Sequence, residues 1–154
     1  MEAGFSFRPI GRVETPFATT KDCPRNGRAL DPAPVCRVHV APEFAAGLLS
    51  VEAFSHLILL YALDRAGPPE MVFTPPFDSA PRGVFATRTP RRPNPVGLSV
   101  VALDGRDPDA PDGGGVLRVR YLDCVDGTPL LDIKPYMPRT DSVPDATMGW
   151  LARP

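Results

Sequence analysis

The chain has 154 residues, of which 43% are hydrophobic and 23% charged, and its formal net charge is −1. These values are ordinary for one soluble globular domain, and they lack the overall basic charge that is typical of a nucleic-acid-binding domain. The 21 prolines, roughly 14% of the chain against an average near 5%, predict stiff loops and few long helices. The longest apolar run, residues 57–63, is far too short to span a bilayer.

No targeting segment or metal site is expected. The N-terminus has no basic start followed by a hydrophobic block, so no secretory signal is visible. Cys23, Cys36 and Cys124 stand far apart without paired spacing, which predicts reduced thiols in a cytoplasmic protein. Cys36 and His39 match no standard zinc framework.

Short strands and long loops alternate along the chain. Residues 5–13 and 35–40 alternate between apolar and polar side chains, which predicts two strands separated by a long polar loop. Residues 42–49 could form a short helix that begins at Pro42. Residues 51–63 fit either a helix or a buried strand; their Ile, Tyr and Phe content favours a strand. Further strands are predicted at 98–103, 116–122 and 130–133. Together they indicate an all-β barrel or sandwich.

Residues 83–99, GVFATRTPRRPNPVGLS, form a stiff segment that we call the arginine arm. Two strand-like pieces, 84–86 and 98–103, flank a core in which three prolines restrict the backbone to extended conformations. Residues 79–103 contain no acidic residue and four arginines: Arg82, Arg88, Arg91 and Arg92. The segment is either a solvated connection with prolines that block edge pairing or a site for an anionic ligand.

A second unusual segment, DGTPLLDIKPY, occupies residues 126–136. Its first four residues are either a simple turn or part of a binding site. Asp123, Asp126 and Asp132 provide carboxylates in this region, and Tyr136 provides an aromatic ring. Together with the arginine arm, these groups would suit a small zwitterionic or nucleoside-like ligand.

Several longer motifs occur in a familiar order: residues 10–17, Pro24-Arg25, VEAFSHL at 51–57, the arginine arm and DGTPLLDIKPY. In these motifs, which cover most of residues 7–145, the chain resembles the TrmO (YaeB, TsaA-like) family of S-adenosylmethionine-dependent tRNA methyltransferases. The resemblance implies a mainly all-β domain over residues 5–150: a single-sheet closed β-barrel with short helices and long proline-rich loops. No additional C-terminal domain, such as enteric members carry, is expected.

The resemblance also implies an activity. Members act as homodimers that bind S-adenosylmethionine near the subunit interface and methylate N6 of N6-threonylcarbamoyladenosine, beside the anticodon of a threonine tRNA. Two alternatives remain: a non-catalytic S-adenosylmethionine-binding regulatory protein, and a methyltransferase that acts on a small molecule.

Carried over by position, the resemblance implies cofactor contacts at eleven residues: Pro24, Arg25, Asn26, Asp64, Arg65, Arg88, Leu98, Asp126, Gly127, Thr128 and Pro129. The acceptor nitrogen loses a proton, so Asp126 or Asp132 is the expected proton acceptor, and Asn94 could hold the N6 edge by hydrogen bonds. Phosphate contacts to tRNA are expected from Arg91, Arg92 and Lys134.

Overall fold

The computed structural model describes residues 4–152, which fold into a mainly-β structure. Eight strands follow one another along these residues: β1 (Gly11–Glu14), β2 (Val35–Val40), β3 (His56–Ala62), β4 (Val72–Phe73), β5 (Arg82–Gly83), β6 (Val96–Arg106), β7 (Gly115–Arg120) and β8 (Pro129–Pro135). The helical segments are short: 3₁₀ turns at Pro42–Leu48, Val51–Ala53, Val84–Ala86 and Gly149–Leu151, and one α-helical turn, α1 (Pro138–Asp141). The predicted mainly-β fold with short helices is confirmed.

Six of these strands form a closed antiparallel ring in the order β1-β2-β7-β6-β3-β8, because β8 pairs again with β1. The β1–β8 junction is short and joins Gly11 to Leu130 and Arg12 to Pro129. The two-residue strands β4 and β5 pair separately, outside the ring. No helix within residues 4–152 is long and apolar enough to cross a membrane.

The core lies inside the ring and follows from the period-two alternation of the strands. On β3, Leu57, Leu59 and Tyr61 are buried, whereas their neighbours are only half-buried. Side chains of the other strands complete the cluster: Val13, Cys36, Val38, Val40, Val101, Leu117, Val119 and Leu130. Cys36 and Cys124 are buried free thiols, and Cys23 is a half-buried one.

The structure corrects three predicted boundaries. The first strand is confined to Gly11–Glu14, and residues 5–9 lie outside it with exposed side chains. Residues 51–63 form a strand only from His56, after a 3₁₀ turn at Val51–Ala53. The first flank of the arginine arm is a 3₁₀ turn, Val84–Ala86, because both the backbone N–H and the hydroxyl of Thr87 donate to the carbonyl of Val84.

Candidate functional site

A cavity with a volume of about 930 Å³ lies beside the arginine arm. Four connecting segments form its walls: the loop after β1 (residues 20–26), the loop after β3 (63–67), the arginine arm with the start of β6, and residues 123–128. This volume is at the upper end of the range that is typical of small-molecule sites, roughly 300–1,000 Å³. The cavity is therefore the candidate functional site.

Two arginines hold the arm in place. The Nη1 atom of Arg92 donates to the carbonyls of Thr87 at 3.0 Å and Thr89 at 3.2 Å, within the arm itself. The Nε atom of Arg91 donates to the carbonyl of Pro68 at 3.0 Å, and its Nη1 forms a salt bridge with Glu70. The bonds of Arg92 link residues within the arm, and those of Arg91 attach the arm to the loop after β3. The arginines thus reinforce the rigidity that the prolines predict.

Arg88 and Arg25 are different, because their guanidinium groups are not engaged in this framework. Arg88 is exposed and forms no hydrogen bond or salt bridge with any other residue of the described part of the chain. Arg25 is also exposed, and its guanidinium carbon lies 5.9 Å from the centroid of the Phe77 ring. Both line the cavity, where a planar guanidinium suits a carboxylate or phosphate ligand.

Tyr61 and Asp123 line the cavity, and Ser99 completes a hydrogen-bonded polar cluster with them. The Tyr61 hydroxyl donates to Oδ1 of Asp123 at 3.1 Å and lies 2.9 Å from the Ser99 hydroxyl. The Ser99 hydroxyl is in turn 3.5 Å from the same carboxylate oxygen. Tyr61 and Ser99 are buried on adjacent strands, so they give Asp123 a fixed hydrogen-bonding partner pair.

Burial controls the protonation of this cluster. Removal from water raises the pKa of Asp123, although hydrogen bonds from Tyr61 and Ser99 and the charge of Arg88 favour its ionised form. Burial also raises the pKa of Tyr61, to which the negative charge of Asp123 adds, so its hydroxyl remains a donor. Asp123 is therefore a carboxylate with increased proton affinity that faces a cavity.

The position of the Tyr61 ring depends on Gly97. The two residues are paired in register between β3 and β6, and the ring lies directly over the glycine. A Cβ atom added at Gly97 would stand 2.1 Å from Cε2 of Tyr61, which no packed structure allows. The absence of a side chain at this position is what permits the Tyr61 hydroxyl to reach Asp123.

Eight of the eleven residues expected to contact the cofactor line the cavity: Pro24, Arg25, Asn26, Asp64, Arg65, Arg88, Leu98 and Thr128. Asp126, Gly127 and Pro129 do not line it. The carboxylate of Asp126 instead accepts a hydrogen bond from the backbone N–H of Thr15 at 3.0 Å, and its carbonyl accepts one from Arg65 at 3.3 Å. Asp126 thus attaches the end of β1 to the turn before β8.

The other predicted residues divide into two groups. Asn94, Arg91 and Arg92 line the cavity. Asp132 and Lys134 lie on β8, outside this cavity, and form a salt bridge with each other at 2.9 Å. The hydrogen bond from Lys134 to Asp132 raises the pKa of the lysine. The structure therefore does not bring these two residues together with the arginine arm.

Sequence reasoning did not single out Tyr61 and Ser99, and it treated Asp123 only as one of three carboxylates. Tyr61 belongs to an apolar run, where its hydroxyl gives no signal of its own. Ser99 stands 24 residues from Asp123 in the chain, so their proximity follows only from the strand pairing. No group of three or more His, Cys, Asp or Glu side chains that could hold a metal ion occurs within residues 4–152.

Comparisons with known proteins identify relatives of this chain. A "Probable S-adenosyl-L-methionine-binding protein" of Archaeoglobus fulgidus is 44% identical over 143 residues, which is 93% of this chain and 37% of the relative. The "tRNA (adenine(37)-N6)-methyltransferase" of Escherichia coli is 35% identical over 96% of this chain and 64% of its own length. The crystal structure of TrmO from Pseudomonas aeruginosa matches with a TM-score of 0.78 at 36% identity, over 99% of this chain and 65% of that one.

The chain thus spans less than two thirds of the length of each of these three relatives. The match to a family profile is nevertheless continuous from β1 to the end of α1, over residues 12–142. The chain belongs to the family of the tRNA-methyltransferase O N-terminal domain.

Proposed function

We propose that this chain is an S-adenosylmethionine-dependent methyltransferase that modifies N6 of N6-threonylcarbamoyladenosine beside the anticodon of a threonine tRNA. The observation that carries the proposal is the cavity, in which eight of the eleven cofactor residues implied by the family resemblance line one space. The name of the Escherichia coli relative supports the reaction class. The proposed domain is residues 5–150, which includes the whole of the family match.

The residues that line the cavity fit S-adenosylmethionine chemically. Arg88 and Arg25 offer guanidinium groups for its carboxylate, and Leu98 and Pro24 offer apolar surface for its adenine. Asp64 can accept hydrogen bonds from ribose hydroxyls or from the amine. The cofactor supplies an electrophilic methyl group, and the protein's contribution is to hold donor and acceptor in near-attack geometry. A cavity of about 930 Å³ is large enough for the cofactor together with part of an acceptor nucleotide.

The arginine arm is the proposed tRNA-binding element. Arg91 and Arg92 border the cavity, so phosphate contacts from their outer nitrogens would lie close to the acceptor base. Asn94, also on the cavity wall, is placed to hold the N6 edge. Lys134 would contact only RNA that extends past the cavity. A tRNA substrate would put the activity in the cytoplasm.

We further propose that the active form is a homodimer. Phe85, Val96 and Leu98 line the cavity, and their exposed fractions are 74%, 42% and 50%. Apolar side chains grouped at the mouth of a polar cavity favour coverage by another protein surface. A second copy that covers them would complete the cavity wall. Sedimentation of the pure protein at micromolar concentration tests this, and a monomer with unchanged activity would contradict it.

A second candidate is a non-catalytic S-adenosylmethionine-binding protein, which the name of the Archaeoglobus fulgidus relative supports. A methyltransferase acting on a small molecule would use the same cavity. Both alternatives predict cofactor binding without methylation of tRNA.

One assay separates the proposed tRNA methylation from the two alternatives. The pure protein is incubated with methyl-labelled S-adenosylmethionine and total tRNA from a strain that lacks its own enzyme of this family. We expect label in threonine tRNA, on the threonylcarbamoyl nucleoside after digestion. Cofactor binding by calorimetry without label in any tRNA would contradict the proposed reaction and support the two alternatives. Transfer RNA that lacks the threonylcarbamoyl group is the matched control.

A further inference from the structure

We propose that Asp123 is the proton acceptor for N6 of the acceptor nucleotide and that Tyr61 and Ser99 position its carboxylate. The proposal rests on the proposed function, because it concerns the acceptor of that reaction. It replaces Asp126 and Asp132 as candidates for this role.

The geometry favours Asp123 over the other carboxylates. Among the described residues that line the cavity, the carboxylates are Asp64 and Asp123. Asp64 is exposed to water, whereas Asp123 is half-buried and held by the Tyr61 hydroxyl at 3.1 Å. Asp126 directs its carboxylate to the backbone of Thr15, and Asp132 pairs with Lys134 on β8. Only Asp123 thus combines access to the cavity, a fixed orientation and partial removal from water.

The chemistry requires an acceptor for one proton. As the lone pair of N6 forms a bond to the methyl carbon, the electron pair of the carbon–sulfur bond remains on sulfur, and N6 becomes positively charged unless it loses its hydrogen. The Asp123 carboxylate takes up that hydrogen as a proton and later releases it to solvent. Burial strengthens this role, because it raises the pKa of Asp123 above its ordinary value.

The groups packed against Asp123 differ from it in how they respond to pH. Tyr61 on β3 has a raised pKa and stays protonated. Burial raises the pKa of Cys124 to about 12 and also raises that of Cys23, so both thiols remain neutral. The positive charge of Arg88 from the arginine arm favours the ionised form of Asp123, and the Ser99 hydroxyl on β6 donates to the same carboxylate. An acidic limb in the pH–rate profile that moves in Tyr61→Phe would therefore report Asp123 rather than Asp64, because the Tyr61 hydroxyl bonds to Asp123.

The test compares single-turnover methylation by the wild-type chain, Asp123→Asn and Tyr61→Phe, with saturating cofactor and threonylcarbamoylated tRNA. Loss of a general base lowers rates by roughly 100-fold to 10,000-fold, and we expect Asp123→Asn to fall in this range. Its affinity for S-adenosylmethionine, measured by calorimetry, should stay within about threefold of wild type, since the carboxylate acts on the acceptor. Asp109→Asn, an exposed carboxylate that pairs with Arg106, is the matched control and should keep the wild-type rate.

Tyr61→Phe tests whether Tyr61 positions the Asp123 carboxylate or only supports the fold. It removes a hydrogen-bond donor that favours the ionised carboxylate, so the pKa of Asp123 rises further and the acidic limb moves to higher pH. Carbon-13 NMR titration of the aspartate carboxyls in the free protein measures the same pKa without any turnover. We expect the Asp123 resonance to titrate above its ordinary value and to shift upward in Tyr61→Phe.

The outcomes distinguish the two proposals. An inactive wild-type chain would overturn the proposed function and this role with it. An active wild type in which Asp123→Asn keeps its rate would overturn only the role of Asp123. If Asp123→Asn does not fold, an acidic limb that is unmoved in Tyr61→Phe would still overturn it, and a limb shifted to higher pH would support it.

Discussion

The indole ring of Trp150 stacks on the ring of Phe77, with centroids 5.9 Å apart and an interplanar angle of 9°. The guanidinium of Arg25 lies 5.9 Å from the Phe77 centroid, and that of Arg82 lies 4.7 Å from the Trp150 centroid. The Nε1 atom of Trp150 donates to the carbonyl of Ala86 at 2.8 Å. The 3₁₀ turn Gly149–Leu151 is thereby attached to the arginine arm and to Phe77, the ring over which the Arg25 guanidinium lies.

Trp150→Leu should therefore weaken cofactor binding, although Trp150 does not line the cavity. The stacked pair and its neighbouring cations contribute about 1–2 kcal/mol, and part of that loss would appear as a less ordered Arg25. We expect the dissociation constant for S-adenosylmethionine to rise several-fold in calorimetry, with a small loss of thermal stability. Trp150→Phe keeps a stacked ring and loses only the hydrogen bond to Ala86, so it should lie closer to wild type. Equal cofactor affinity in wild type and Trp150→Leu would contradict the role of the stack.

Gly97→Ala should displace Tyr61. The added methyl group would meet the tyrosine ring at 2.1 Å, and the ring, held between strands, cannot move aside cheaply. Overpacking of this kind costs about 1–3 kcal/mol, and the hydrogen bond to Asp123 would be lost as well. Urea unfolding measures the loss of stability. Gly83→Ala is the matched control, because nothing lies within 4 Å of its added Cβ and its φ is an ordinary −69°; equal stabilities of the two variants would refute the argument.

Arg88→Ala should reduce affinity for S-adenosylmethionine without a matching loss of stability. Its guanidinium makes no bond to the described framework, so its removal leaves the arm intact. A charge-assisted hydrogen bond to a carboxylate contributes about 1.5–3 kcal/mol, which corresponds to roughly a 10-fold to 150-fold change in dissociation constant. Calorimetry provides the measurement. Arg12→Ala, an exposed arginine on β1 that lies outside this cavity, should bind normally; wild-type affinity in Arg88→Ala would remove Arg88 from the site.

Much of the fold could be predicted because apolar and polar side chains alternate along several of the strands. Val35–Val40 was predicted with its observed bounds, and the Ile, Tyr and Phe content of residues 51–63 favoured the strand that the structure shows as β3. The prediction of a strand-like piece at residues 84–86, the first flank of the arm, was wrong. A three-residue apolar segment does not distinguish a strand from a 3₁₀ turn. There the hydroxyl of Thr87, which bonds back to Val84, decides the conformation.

Only the residues that belong to the long motifs could be assigned to the site from the sequence. The arginine arm and the loop at residues 24–26 line the cavity as expected. Asp126 belongs to the same strong motif as Thr128, yet its carboxylate points to the backbone of Thr15, which no sequence pattern reveals. Conversely, the contact between Tyr61 and Asp123 depends on Gly97 and on the pairing of β6 with both β3 and β7, because Asp123 follows β7. Such a contact is a property of register, and register is not visible in a local motif.

Asp123→Asn should stabilise the protein at neutral pH even though it slows methyl transfer. The folded-state pKa of Asp123 is raised above its ordinary value of 3.8, so folding costs free energy whenever this carboxyl must be ionised. That cost is absent below pH 3.8, where both the folded and the unfolded chain carry the proton. It grows as the pH rises toward the raised folded-state pKa, and it stays constant above that value. Asparagine carries no such cost, and the Tyr61 hydroxyl can rotate to accept a hydrogen bond from its amide.

Thermal unfolding of the two proteins between pH 3 and pH 8 measures the difference. We expect the midpoint of Asp123→Asn to exceed that of wild type at pH 7, and the two curves to converge as the pH falls through the window between the raised pKa and 3.8. Asp109→Asn is again the control, because its carboxylate is exposed, pairs with Arg106 and does not line the cavity. A midpoint for Asp123→Asn that lies below wild type at every pH would mean that Asp123 supports the fold. A stabilised variant with slowed methyl transfer would mean that the buried carboxylate is kept for its chemistry, at the expense of stability.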